Sequence, residues 1–474
     1  MIFQIALLLI ALAFLGAMGF GAYLLLKSVM KKQSGQAALP QFKSKLTLKL
    51  FAVAMVGLLS LIPLGMIQDL SQDRESLYRQ VVREIGHTWG DSQTLAGPVL
   101  VLPFRYEVIS DSNIDGKQHR SRQVYSDELL ILPKGMTLDA GLQHEFRHRG
   151  IYQSLVYLGQ VKGQANFELP KVNIPGLLGF DYNQARLVFG VSANQAIETV
   201  SRFNLAGEQG MPSLMSGTGL DNTGGLGRGF HRTIALDPSQ GEYQLTFQLS
   251  LRGSEGLEVL PLAELSQIDI HADWPHPSFQ GYLPASRNLS TEGFDANWQI
   301  SHLSRNFPQV FRASDGRDLT EISASVTLFE PVTHYGKIER SLKYGILFIL
   351  LTYILLLIFE LGNKSRLSAV QYLMVGGAMS LFYLLLLSLS EHLLFLTAYL
   401  VAAAVPLLSI PLYVASASGS RRQGAIVAAM LASLYGVLYS ILQLEDYALL
   451  MGTGLLVLIM LVLMYLTRHQ QIEE

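Results

Sequence analysis

The chain has 474 residues, half of them hydrophobic, and a formal net charge of -2. That near-neutral balance argues against a nucleic-acid partner, while the length supports both a helical bundle and a separate globular core. There is no cysteine, which excludes disulfides, thiolate catalysis and Cys-ligated zinc and is compatible with a domain outside the reducing cytosol.

The first apolar run, Ile2 to Leu26, has no basic region before it and reads as a retained anchor rather than a cleaved signal peptide. Lys27, Lys31, Lys32, Lys43, Lys45 and Lys49 follow with no acid among them. The positive-inside rule keeps that loop cytoplasmic and puts the N-terminus outside. A second span, about Leu46 to Ile67, then returns the chain to the outer side. From Asp69, the residues Leu70, Leu77, Val81, Val82, Ile85 and Trp89 recur at helical spacing among charges, which predicts an amphipathic stalk helix ending at Gly90.

From Gly97-Pro98 the pattern changes to short apolar or alternating stretches separated by Gly, Pro, Asn and Asp. These are Val99-Leu-Val-Leu, Leu129-Leu-Ile-Leu, Leu155-Val-Tyr-Leu, Arg186-Leu-Val-Phe, Tyr243-Gln-Leu-Thr-Phe-Gln-Leu, Ile268-Asp-Ile-His, Ala296-Asn-Trp-Gln-Ile and Ala324-Ser-Val-Thr-Leu-Phe. Strands at this density predict a β-sandwich or two packed β units. The glycine-rich stretch within Leu205 to Arg232 has no G-K-[ST] and no strand-to-helix setting, so it reads as a flexible surface loop and not a phosphate cradle.

Five further spans are expected at Leu342 to Leu361, Leu367 to Ser388, Leu393 to Ala415, Gln423 to Leu442 and Tyr447 to Leu466. They put Lys364, Arg366, Arg421, Arg422 and Arg468 inside and Glu391, Glu445 and Asp446 outside, as the charge rule requires. A single helix from Leu367 to Ala415 would be ~73 Å long, too long for one crossing, so a hairpin is expected at Glu391-His392. Pro406 and Pro411 should kink their span, and Gly376-Gly377 with Gly452 and Gly454 allow close helix contact. The expected fold is a multi-span α-helical membrane protein with a large all-β, sandwich-like periplasmic domain. Its segments are 1–68 (two spans and the basic loop), 69–96 (stalk helix and linker), 97–340 (β domain) and 341–474 (five-helix bundle).

His144-Glu145-Phe146-Arg147-His148 fits H-E-x-x-H, which on a helix presents two imidazoles to zinc with Glu as general base. Here Gly141 and Gly150 leave barely two turns and a strand pattern follows, so a polar strand or turn is expected, with Glu145 facing away from both histidines. No G-x-S-x-G is present. No catalytic residue, metal ligand or cofactor is assigned. Candidate functional residues are Trp274, Phe279 and Trp298, an aromatic platform for glycan or peptide weighed against packed turn corners. In the bundle they are Glu391, His392, Glu445 and Asp446, an ion path or docking point weighed against hydrated turn residues.

Several strings in the chain resemble the CreD family of inner-membrane envelope-integrity proteins of Gram-negative bacteria. They are Trp89-Gly-Asp-Ser-Gln, Gly97-Pro-Val-Leu-Val-Leu-Pro, Arg147-His-Arg-Gly-Ile-Tyr, Trp274 to Gly281 and Gly293-Phe-Asp-Ala-Asn-Trp in the insert. In the bundle they are Gln371-Tyr-Leu, Tyr383 to His392 and Leu442-Gln-Leu-Glu-Asp-Tyr-Ala-Leu-Leu-Met451. The resemblance implies an integral inner-membrane protein with a periplasmic domain, tied to a two-component stress regulon, colicin tolerance and β-lactam responses, with no catalytic residues to carry over. The extra span Ile2 to Leu26 and the tail after Arg468, which lacks an aromatic ending, depart from the family pattern. The expected function is therefore a non-enzymatic envelope protein, in contact with the lipid bilayer and with periplasmic or inner-membrane envelope proteins. The alternative is a cation- or proton-coupled transporter using outer-face acids, and a periplasmic cell-wall hydrolase ranks last.

Overall fold

The computed structural model describes residues 51–114, 117–208, 210, 211, 213–328, 334–362 and 367–443, together with 453, 454 and 457. The expected first span, the lysine-rich loop, all but three residues of the last span, and both Glu445 and Asp446 lie outside the described residues. The chain divides into two compact units, Met1–Leu77 with Val332–Glu474, and Tyr78–Pro331.

Four helices are long and apolar enough to cross a membrane among the described residues: α1 (Phe51–Trp89), α3 (Ala369–Ser390), α4 (Phe395–Ser418) and α5 (Arg421–Gln443). Between α1 and α3 lies α2 (His334–Gly362). It packs against α3 and α5, while α4 packs against both of those neighbours. The expected span and stalk are one helix, α1, interrupted only by a turn residue, Ser60. The Ser60 hydroxyl bonds back to the Val56 carbonyl at 2.9 Å and meets the Tyr353 hydroxyl of α2 at 2.7 Å. The third partner in that contact is Gly376 of α3, where a Cβ would stand 2.1 Å from Tyr353 Oη and 2.4 Å from Ser60 Oγ. Small side chains let helices approach where lipid supplies no hydrophobic drive. Gly377 has no neighbour within 4 Å of such a Cβ, so only one residue of the glycine pair makes the contact.

The second unit is β-rich, with its strands in two mixed sheets. The first follows the order β13 (Pro277–Gly281), β17 (Ala324–Leu328), β11 (Gly256–Leu260), β1 (Gln93–Ile114), β6 (Ala185–Val191), β9 (Gly229–Ile234), β8 (Met215–Ser216). To it are added β2 (Lys117–Ile131), β5 (Leu177–Phe180) and β16 (Val310–Arg312). The second sheet runs β14 (Ser286–Leu289), β15 (Phe294–Ser301), β12 (Leu265–Ala272), β3 (Gly135–Arg149), β4 (Tyr152–Glu168), β10 (Glu242–Ser254), β7 (Ile197–Leu205). The β1 to β11 and β3 to β12 pairings are parallel. β1 begins at Gln93, before the Gly97-Pro98 pair at which the strand texture starts in sequence, because residues 93–96 already pair with β11.

Burial explains the two kinds of strand pattern. In β1, Leu100 and Leu102 face the core between the sheets, whereas Val99 and Val101 enter a second cluster with Leu130, Val188, Leu260 and Phe307. A strand covered on both faces needs an unbroken apolar run, as Val99-Leu-Val-Leu is. β12 instead alternates strictly, with Ile268, Ile270 and Ala272 buried and the residues between them exposed, the pattern of a sheet with one face to solvent. The material covering the outer face of the first sheet includes the glycine-rich stretch. Leu220 and Leu226 belong to the second cluster, and Thr218 and Thr223 are buried beside them. The expectation of a flexible surface loop is therefore corrected for its middle part: Thr218, Leu220, Thr223 and Leu226 are buried on a second core, while the residues from Ala206 to Ser216 that are described stay largely exposed.

Candidate functional site

Residues of β3 alternate between two surroundings. Glu145, Arg147 and Arg149 face the end of α1, whereas His144 and Phe146 face Trp274. The Trp89 ring, in the last turn of α1, lies under the Arg147 guanidinium at 4.1 Å and the Arg252 guanidinium at 4.9 Å. Its indole N–H donates to the Tyr157 carbonyl at 3.3 Å. Each cation is itself paired, Arg147 with Glu145 at 3.0 Å and Arg252 with Glu198 at 2.9 Å. One turn earlier Glu84 binds Arg149, and the Gln195 amide donates to the His87 carbonyl at 3.2 Å. The helix stops at Gly90, whose φ of +147° suits glycine and where a Cβ would stand 2.7 Å from the Arg252 carbonyl oxygen. None of Glu84, Arg147, Arg149 or Arg252 stood out as functional in sequence. The available signal was that the Trp89 and Arg147 strings both carry the family resemblance, and these strings meet in space.

On the other side of β3, His144 Nδ1 lies 2.8 Å from Asp273 Oδ1, and the His144 amide donates to the same oxygen at 2.9 Å. Burial pushes the Asp273 carboxyl up, but the amide and imidazole of His144 outweigh it and hold the group below its ordinary value. The Trp274 ring sits 5.2 Å from His144, 6.1 Å from Phe146 and 6.1 Å from His276. The H-E-x-x-H string thus lies on a strand, with Glu145 on the face opposite its histidines, and no cluster of three or more metal-binding side chains occurs among the described residues.

The three aromatic candidates do not form one platform. Trp274 belongs to the His144 cluster, while Phe279 packs on Phe294 and Trp298, each at 5.8 Å. Trp298 is fully buried and its indole N–H donates to the Tyr282 carbonyl at 2.7 Å. It fills the core between the sheets and cannot stack on a ligand, which corrects the reading of Trp298 as part of a surface.

In the helical unit Glu391 ends α3 with a side chain only 11% exposed. It accepts a hydrogen bond from the Tyr335 hydroxyl of α2 at 3.1 Å and lies 3.9 Å from Arg74 of α1. Three helices therefore share one carboxylate. Lys337, also on α2, stacks over Phe395 of α4 at 5.0 Å. His392 is exposed in the short turn between α3 and α4.

The family model for inner membrane protein CreD matches residues 45–473 of the chain. The inner membrane protein CreD of Escherichia coli (strain K12) is 29% identical over 430 residues, covering 90% of this chain and 94% of that protein. Together with the membrane-capable helices and the two-sheet unit described above, that match over nearly the whole length makes the chain a member of the CreD family of inner membrane proteins.

Proposed function

We propose that this chain is a non-catalytic, stress-related protein of the bacterial inner membrane whose β unit lies on the periplasmic side and senses or organises envelope components there. The observation that carries this reading is the arginine stack that grips the last turn of α1 within the β unit. A flexible linker is enough to tether an enzyme, whereas a helix whose last turn is gripped by the domain it enters suits a part through which that domain is held or read. Passage of cations through outer-face acids is less well supported, because the Glu391 carboxylate is mostly buried and already shared with Tyr335 and Arg74.

The absence of cysteine makes the orientation directly testable. Ser239→Cys, in the exposed turn before β10, should react with a membrane-impermeant maleimide on intact spheroplasts, and Ala38→Cys only after lysis. The reverse pattern overturns the periplasmic assignment. Trp89→Ala should also abolish protection against envelope-active antibiotics without reducing the amount of protein in the membrane; full protection in that strain would refute the role given to α1.

A further inference from the structure

The middle strands of the first sheet are covered on both faces, whereas the second sheet exposes one face along its whole width. One register row crosses it. Asn297 of β15 stands opposite Asp269 of β12, followed by Asp139 of β3, Lys162 of β4, Gln248 of β10 and Arg202 of β7. At the usual strand spacing this row is about 24 Å long. The flanking rows add Thr137, Gln164 and Thr246 on one side and Gln160 and His271 on the other. Three shallow grooves of about 410, 100 and 250 Å³ adjoin along the face, sharing Asp139, Asp269 and His271 in their walls. In the middle groove the His271 ring lies over Gly141, where a Cβ would stand 2.7 Å from its Nε2.

The side chains hold one another in place. Asn297 donates to Asp269 at 2.7 Å, Lys162 lies 3.4 Å from Asp139, and His271 Nδ1 lies 3.5 Å from the other Asp139 oxygen. Each carboxylate has about four lone-pair sites and the ammonium three donors, so these contacts leave valence for a ligand. The row carries two neighbouring carboxylates, Asp269 and Asp139, and two cations beyond them, Lys162 and Arg202, so its charges cancel and the face has no single sign to attract a polyanion or an anionic lipid surface. No apolar side chain points outward in these rows, so there is no pocket for an acyl chain or for the anchors of an amphipathic helix. Planar amides that donate and accept, carboxylates that accept and a guanidinium that donates together match paired hydroxyls. We propose that this face binds an uncharged, hydroxyl-rich oligosaccharide lying across the strands. The surface belongs to the β unit alone and depends on neither the orientation nor the sensing role proposed above.

The test is calorimetric titration of the full chain in detergent micelles with cellohexaose, maltohexaose and chitohexaose. Asp269→Ala and Gln248→Ala serve as variants, since both side chains are exposed and their loss should leave the melting temperature unchanged. At least one hexasaccharide should bind the unaltered chain, and each substitution should weaken that binding by about tenfold, the worth of a hydrogen bond to a charged or well-placed polar group. No binding of any of the three at about 10 mM overturns the proposal. So does binding that both variants retain in full, or heparin binding more tightly than every neutral sugar.

Discussion

Trp89→Ala tests how firmly the end of α1 is held. Arg147 and Arg252 have side chains 44% and 39% exposed, so each cation-ring contact falls at the weak end of its range, about 0.5 kcal/mol. The indole hydrogen bond to Tyr157 is long at 3.3 Å and contributes about 0.5 to 1 kcal/mol. Loss of the half-buried ring surface adds about 1 to 2 kcal/mol. The total, about 3 kcal/mol, corresponds to roughly a hundredfold in a local opening equilibrium. Hydrogen-deuterium exchange on the full chain in micelles reads this directly: amides of residues 84–90 should exchange roughly a hundredfold faster in Trp89→Ala. Those of α3 should be unchanged. Trp89→Phe keeps a ring under both guanidinium groups and loses the N–H, so it should lie near about tenfold. Exchange in Trp89→Ala within about threefold of the parent would refute the stack as an anchor.

Gly376→Ala drives a methyl group into Tyr353 Oη and Ser60 Oγ and should destabilise the bundle by about 2 kcal/mol. Adding Tyr353→Phe removes the nearer atom and should recover part of that loss in thermal melts; a double variant no more stable than the single one contradicts the contact. Asp273 is held below its ordinary value of 3.8, so its contribution to stability is present above that pH and is lost as the pH falls through the lower, folded-state value. His144→Ala removes the imidazole partner and should move the Asp273 titration upward, measured by carboxyl-carbon NMR, with a smaller stability loss on acidification. An unchanged titration would show that the backbone amide alone sets it.

The strand segments were legible because alternation and apolar runs are imposed by burial. Tyr243 to Leu249 alternates since β10 has one exposed face, and Leu129-Leu-Ile-Leu does not since Leu129 and Ile131 enter one core while Leu130 and Leu132 enter the other. The described helices α3, α4 and α5 end within a few residues of the expected spans, with the hairpin at Glu391-His392. The unity of α1 was not legible, because Asp69, Asp73 and Arg74 end the apolar run without breaking the helix. Nor was the seating of Trp298, whose flanking turn residues look like those of a surface corner although its own strand position faces inward. The stack on Trp89 escaped sequence reading for a different reason: nothing in local spacing tells that Arg147 and Arg252, from separate strands, converge on one ring.

The glycine-rich cover has a consequence for anyone altering this chain. By composition, residues 217–228 are where a tag, a reporter or an inserted domain would be placed, since such stretches usually accept foreign sequence. Here Gly217, Gly219 and Gly225 take positive φ values and the residues between them close a hydrophobic cluster. An insertion there would open the second core, and changes at Thr218, Leu220, Thr223 and Leu226, which are buried, would be poorly tolerated. The exposed turn at Asp237 to Gln240 offers the safer place, and a library of random insertions should show that contrast.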